Sequence, residues 1–307
     1  SIVAKDSITF DGAETLFFKQ DFQRSTKALL EYLSTFDSPI FKNSATFYLA
    51  ESFFELGEKD KALDEYLKIN EWNDSRYKER VLSQMSAIEF DKGQYGIAAL
   101  HFQELLEVAS SKELIRSSKI SLYLCHKELN VKEQLLTSAK SILELDKLDQ
   151  QLMLDARLLL ANNAFELSEF YAAKKEYKEI CAIDKNAFGA ESKYQLALLS
   201  FVEEDYQAVE SSVFELAESY FDDYFIAKAF ILLSDVYVKQ ENYFQAKATL
   251  QSIIDNYQGD ELKTIASAKF VEIEALKESN DSKDQDELII DLLIDFDEEE
   301  INTEDEE

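Results

Sequence analysis

The 307-residue chain has a single proline, Pro39, and only six glycines. Hairpins and tight strand connections need Gly-, Asn-Gly- or Pro-based turn chemistry, so a β-rich fold is excluded and long helices with short connections are implied. Two cysteines, Cys125 and Cys181, cannot form a disulfide framework and read as small core residues. No stretch of eighteen apolar residues occurs, so no segment reads as a membrane span or as direct membrane insertion. No signal peptide is legible at the start, but the chain opens on Ser1, within a partial repeat, which leaves both its address and a longer array open. Positive charge is scarce: 32 Lys and Arg face 62 Asp and Glu, a formal net charge of −30. Such a surface repels phosphate backbones and anionic lipid heads and suits basic partners, so no nucleic acid is expected as a ligand.

Catalytic and metal-binding patterns are equally sparse. The only two histidines are His101 and His126, in separate helical stretches. His126 follows Cys125, and neighbours on a helix point about 100° apart, so the two cannot chelate together. No His-x-x-x-His, Cys-x-x-Cys, EF-hand, Walker or Gly-x-Gly-x-x-Gly spacing exists, and no serine sits in a nucleophile elbow. The expectation is no enzyme, no metal and no cofactor. The abundant carboxylates read as a solvated acidic surface.

What the chain does contain is a recurring phrase. A small residue in its second half stands at Ser25, Ala62, Ala98, Ala173, Ala208 or Val209, and Ala246. The spacing is 36–37 residues, with one double-length gap that hides a degenerate unit. Units of this length are supersecondary pieces too small to bury their own apolar face, so they stack. Each holds two helical patterns. Phe47, Leu49, Ala50, Phe53, Phe54 and Leu56 form the first stripe of one unit, and Ala62, Leu63, Tyr66, Leu67 and Ile69 the second. Gly57 and Gly93 stand just past a first helix, where a left-handed residue ends it at little cost. Ala50, Ser86, Ala161, Ala197 and Ser234 lie where the helices should cross closely. Tyr66, Phe102, Tyr177 and Leu250 would fill the adjoining gap.

This arrangement of small, aromatic, glycine, alanine and aromatic residues resembles the tetratricopeptide repeat. Leu49, Ala50, Phe53, Gly57, Ala62 and Tyr66 stand at its signature positions, as do Leu233, Ser234, Tyr237, Ala246 and Leu250. The likeness covers roughly residues 10–280 and fails between Glu113 and Leu148, where two helices are still legible. The resemblance implies an all-α, right-handed superhelical solenoid of about seven helix-turn-helix repeats over 1–261. A capping helix would follow over 262–279, then an acidic tail over 280–307. In flavour, residues 29–66 are similar to large bacterial cell-envelope members of the family.

In that family the first helices line the concave face where ligands lie. Here the positions are Phe54, Phe90, Phe165, Phe201 and Val238, and two turns earlier Phe47, Leu158, Tyr194 and Ile231, with Ser83 in the remaining place. Regularly spaced apolar residues would make a ladder for an extended or helical peptide. The same side chains could equally rotate inward as core, since the adjoining core position is Glu89, Ala164 or Ser200 in three repeats.

The tail differs from everything before it. From Ser279 to Glu307 it carries fourteen acids and one lysine, so −13 of the −30 resides there. Its middle is apolar: Leu288, Ile289, Ile290, Leu292, Leu293, Ile294 and Phe296, with Glu287, Asp291, Asp295 and Glu298 forming an acidic stripe at helical spacing. A helix this short does not hold alone in water. It would dock on the last repeats, serve as a motif for a partner, or stay disordered.

Taken together, these features imply a non-enzymatic scaffold that holds a protein or peptide partner. By resemblance the setting is periplasmic or cell-envelope, within an outer-membrane assembly or secretion complex; a cytoplasmic setting is the alternative. A regulatory domain that senses a small molecule or peptide in a closed pocket is the alternative function.

Overall fold

The computed structural model of the chain describes residues 2–72 and 75–276. Among these residues the structure is all-α, without strands. Two compact units divide it, Ser1–Ala156 and Arg157–Glu307. The first holds α1 (Ile2–Phe18), α2 (Phe22–Thr35), α3 (Lys42–Glu55), α4 (Lys59–Glu71), α5 (Lys78–Asp91), α6 (Tyr95–Val108), α7 (Lys112–Glu128) and α8 (Lys132–Leu143). Helix α9 (Gln150–Glu166) begins in the first unit and ends in the second. The second holds α10 (Phe170–Ile183), α11 (Ala187–Val202), α12 (Tyr206–Ser219), α13 (Asp223–Lys239) and α14 (Tyr243–Asn256), followed by α15 over 260–276.

Helices α1–α14 form seven pairs. Each pair turns on one residue with positive φ: Gln20, Gly57, Gly93, Asn130, Ser168, Glu204 and Glu241. Only two of these are the glycines read from the sequence, at φ 77° and 70°. The others take the left-handed region at a steric cost that Asn bears best. In three pairs the next residue caps the second helix, with Asp21 accepting from the Arg24 amide, Asp205 from Ala208 and Asn242 from Gln245. That satisfies one of the orphan donors of a helix start.

Counting from the left-handed residue puts every pair in one frame. The second helix buries its fifth, ninth and twelfth residues, as in Ala62, Tyr66 and Ile69, or Ala246, Leu250 and Ile253. The first helix buries the residue seven before the turn: Ala13, Ala50, Ser86, Ala161, Ala197 and Ser234. Small residues there let the axes approach, close enough in the first pair for the Ser25 hydroxyl to donate to the Ala13 carbonyl at 3.4 Å. The large residue of the second helix then fills the space beside the crossing.

The α7–α8 pair is the hidden repeat, and its frame explains the lost signature. The residue seven before Asn130 is Tyr123, and the fifth and ninth after it are Leu135 and Ala139, all buried. The large residue comes from the first helix and the small one from the second, the reverse of the other pairs. The Tyr123 hydroxyl donates to Asp155 on α9 at 2.6 Å, and Lys127 donates to the same carboxylate.

Two connections depend on buried acids. Asp6, only 3% exposed, accepts from the Tyr32 hydroxyl at 2.7 Å and from the Ile40 amide at 3.2 Å, while Phe41 donates to the Tyr32 oxygen. This fixes the loop around Pro39, and burial with that bond pushes the Tyr32 hydroxyl up to about 12. In the second unit Asp184 accepts from the Gly189 amide at 2.9 Å. A Cβ on Gly189 would lie 1.9 Å from the Asp184 carbonyl oxygen, so only glycine fits.

Candidate functional site

The face of the first helices is shaped by polar pins between successive pairs. Glu51 on α3 is 7% exposed and accepts from the Tyr66 hydroxyl at 2.6 Å. It also accepts from Arg80 of α5, through Nη2 at 2.9 Å and Nε at 3.1 Å. A carboxylate buried to this degree needs both partners, because an unpaired charge there would be far costlier. Burial and Glu51 push the Tyr66 hydroxyl well above its usual range, and the hydrogen bond to Glu51 raises Arg80. The second unit repeats the device. Tyr177 donates to Asn162 at 2.7 Å, Asn162 donates to Glu191 of the next pair at 3.0 Å, and Lys269 of α15 donates to Asp235 at 2.6 Å. Composition alone could not reveal these pins, because the partners lie 15 to 34 residues apart.

The nine ladder residues are half-buried or buried, and none is fully exposed. Phe90 lies edge-on to Tyr95 at 5.4 Å, Phe165 against Phe170 at 5.7 Å and Phe201 against Tyr206 at 6.0 Å. Each pair straddles its left-handed turn and clasps the two helices, as Phe17 and Phe22 do at 5.8 Å in the first repeat. Val238 and Tyr243 each pack against the last core cluster, and Phe54 packs against the first. Of the residues two turns earlier, Leu158, Tyr194 and Ile231 are buried, and Phe47 stacks on Tyr77 at 4.2 Å. Lys228 stands over the Tyr194 ring at 4.8 Å. The tail residues Leu288, Ile289, Leu292, Leu293 and Phe296 lie outside the described residues.

An aromatic cluster in the first unit joins the ladder residue Phe47 to Phe17, Phe18 and Tyr48, which the ladder spacing did not select. Tyr48 meets Phe17 at 4.8 Å, Phe18 at 5.6 Å and Phe47 at 5.7 Å. Phe18 remains 65% exposed. Asp11, Glu14 and Glu55 stand on the same two helices, and burial together with the Glu14 charge pushes the Tyr48 hydroxyl up to about 12. The adjacent Phe17 and Phe18 before a turn were the sequence signal for this cluster.

Both histidines are committed within their own pairs. His101 Nδ1 lies 2.6 Å from the Glu89 carboxylate, which raises its pKa. His126 Nδ1 lies 3.2 Å from Ser138 Oγ, and burial lowers its pKa. His126 and Ser138 border an open recess of about 290 Å³ with Leu106, Lys119 and Leu122. Among the described residues no group of three or more His, Cys, Asp or Glu could hold a metal ion, and no helix is long and apolar enough to cross a membrane.

Paired helices that turn on a left-handed residue and cross at small residues have the arrangement of tetratricopeptide-type repeats. Solved structures of that class are similar to this chain. A tetratricopeptide repeat protein from Parabacteroides merdae is 12% identical over 85% of this chain and 97% of its own, with a TM-score of 0.39. The C-terminal part of a repeat protein from Cytophaga hutchinsonii is 12% identical over 83% and 98%, with a TM-score of 0.46. The TPR2AB domain of yeast Sti1, solved with an HSP90 peptide, is 13% identical over 91% and 96%, with a TM-score of 0.38. No family model matches the chain, and no curated relative does.

Proposed function

We propose that the chain is a non-enzymatic protein-interaction scaffold, and that the first-helix face of its first unit holds a peptide segment with basic and aromatic or apolar anchors. The observation that carries this reading is Phe18, 65% exposed at the edge of the Phe17–Tyr48–Phe47–Tyr77 cluster. Glu14 lies beside Tyr48, and Asp11 and Glu55 stand on the same two helices. Aromatic faces attract guanidinium and ammonium groups, and nearby carboxylates add to the attraction. Of the ladder residues Phe47 belongs to this cluster; Phe54 and Phe90 would offer half-buried edges to a partner on the first unit, and Phe165, Phe201 and Val238 on the second.

A panel of labelled peptides tests this by fluorescence anisotropy on the full chain. Peptides alternating Arg or Lys with aromatic residues should bind, and charge-reversed versions should not. Phe18→Ser should weaken binding on the order of tenfold, as loss of a central aromatic anchor does, while Phe244→Ser, at an exposed phenylalanine of the second unit, should leave it unchanged. Equal binding of acidic and basic peptides, or indifference to Phe18→Ser, would overturn the reading. A cell-envelope assembly, the setting suggested by the flavour of residues 29–66, is part of the proposal. Fractionation of native cells checks it, and recovery in the cytosolic fraction alone would count against it.

A further inference from the structure

We propose that α15 is the first helix of an eighth pair, and that residues 287–296 of the same chain are its second helix. Helix α15 occupies the frame of the earlier first helices, displaced 37 residues from α13. Ala266 stands where α13 has Ala229, and Ile273 where it has Val236; all four are buried, the α15 residues in one cluster with α14. That face is filled. The face that turns toward the second helix of its own pair is bare. The residue at the crossing, buried in all seven pairs, is here Val271, and it is 63% exposed. Ala268 and Ala275, a turn before and after it, are exposed as well.

The sequence beyond α15 contains one segment that fits. Second helices bury residues at steps of four and three: Ala62, Tyr66 and Ile69; Ala246, Leu250 and Ile253. Ile289, Leu293 and Phe296 repeat those steps. At about 100° per residue they share one side of a helix, and Glu287, Asp291, Asp295 and Glu298 fall on the opposite side. No other trio in the segment is apolar at all three positions. Ten residues, 277–286, separate α15 from Glu287, and at about 3.3–3.6 Å each they span more than the width of a helix pair. The occupant is therefore local and covalently tethered, which raises its effective concentration above that of any free segment.

Hydrogen exchange on the full chain tests the pairing. Amides across 289–296 should exchange roughly tenfold or more slower than in the isolated peptide. Val271→Asp, a change at an exposed site, should abolish that protection while the amides of α13 and α14 keep theirs. Unprotected exchange across 289–296 in the unaltered chain would overturn the proposal. So would protection that survives Val271→Asp, or protection that grows with protein concentration, which would make the occupant a segment of a second copy.

Discussion

Ala62 and Ala173 are fully buried at helix crossings, with no exposed area in either unit. Leucine at either site has nowhere to go without moving a helix axis, so each substitution should cost about 1–3 kcal/mol. A thermal or urea melt measures it, and unchanged midpoints would refute the frame. The α7–α8 pair permits a sharper test. Leu135→Ala should cost about 2–4 kcal/mol by leaving a cavity, and Ala139→Leu about 1–3 kcal/mol by overpacking against Tyr123. Both changes lie on one helix face, so their effects should be coupled rather than additive, which a double-mutant cycle would show. The histidines, the only two in the chain, titrate in opposite senses. Protonated His101 is favoured in the folded state by Glu89. Its contribution is therefore full below pH ~6.5 and lost as pH rises through its raised value. Burial favours neutral His126 in the folded state. Its contribution is full above pH ~6.5 and lost as pH falls through its lowered value. NMR titration should show one imidazole on each side of pH ~6.5, and His126→Gln should flatten the acid limb of the stability profile.

At the scale of the elements, five of the seven turns within pairs place a residue other than glycine in the left-handed region: Gln20, Asn130, Ser168, Glu204 and Glu241. Glycine at Ser168, Glu204 or Glu241 relieves about 1 kcal/mol of steric cost and gives back part of it as unfolded-chain entropy. Each change should therefore raise stability by some tenths of a kcal/mol, read as a shift in the urea midpoint. The same turns show what was legible in the sequence. Gly57 and Gly93 announced theirs, and the 36–37 residue period carried the frame to the rest. The α7–α8 pair escaped because Tyr123 and Ala139 keep the volume of a crossing while exchanging its owners, and a residue-type signature records owners only. The pins from Glu51, Asn162 and Asp235 escaped because a carboxylate or amide on a helix surface looks the same whether solvent or another repeat satisfies it. The ladder spacing selected residues of first helices, and the structure leaves them half-buried or buried. It missed Phe18 and Tyr48, whose placement depends on how neighbouring pairs lie together.

For the whole molecule, the imbalance of charge acts on stability in a way that no single contact reveals. A net charge of −30 repels itself in the folded chain. Exposed pairs such as Lys59–Asp91 and Lys92–Asp60, each bridging neighbouring turns, offset little of it, about 0–1 kcal/mol apiece. Raising KCl from about 0.01 M to about 1 M shortens the screening length from about 30 Å to about 3 Å. The melting temperature should therefore rise. A fall would mean that the ion pairs outweigh the repulsion.

The exchange of volumes between α7 and α8 also bears on how such a chain could be altered by inheritance or by design. Six pairs use interchangeable parts: a small residue on the first helix meets a larger one on the second. In the α7–α8 pair the parts are reversed. A crossover inside it, joining α7 to a second helix from another repeat, would set Tyr123 against a large residue. The reciprocal product would set alanine against alanine and leave a hole. The two helices must travel together, so the turn at Asn130 is the one place among the seven where a shuffled array breaks its own packing rule.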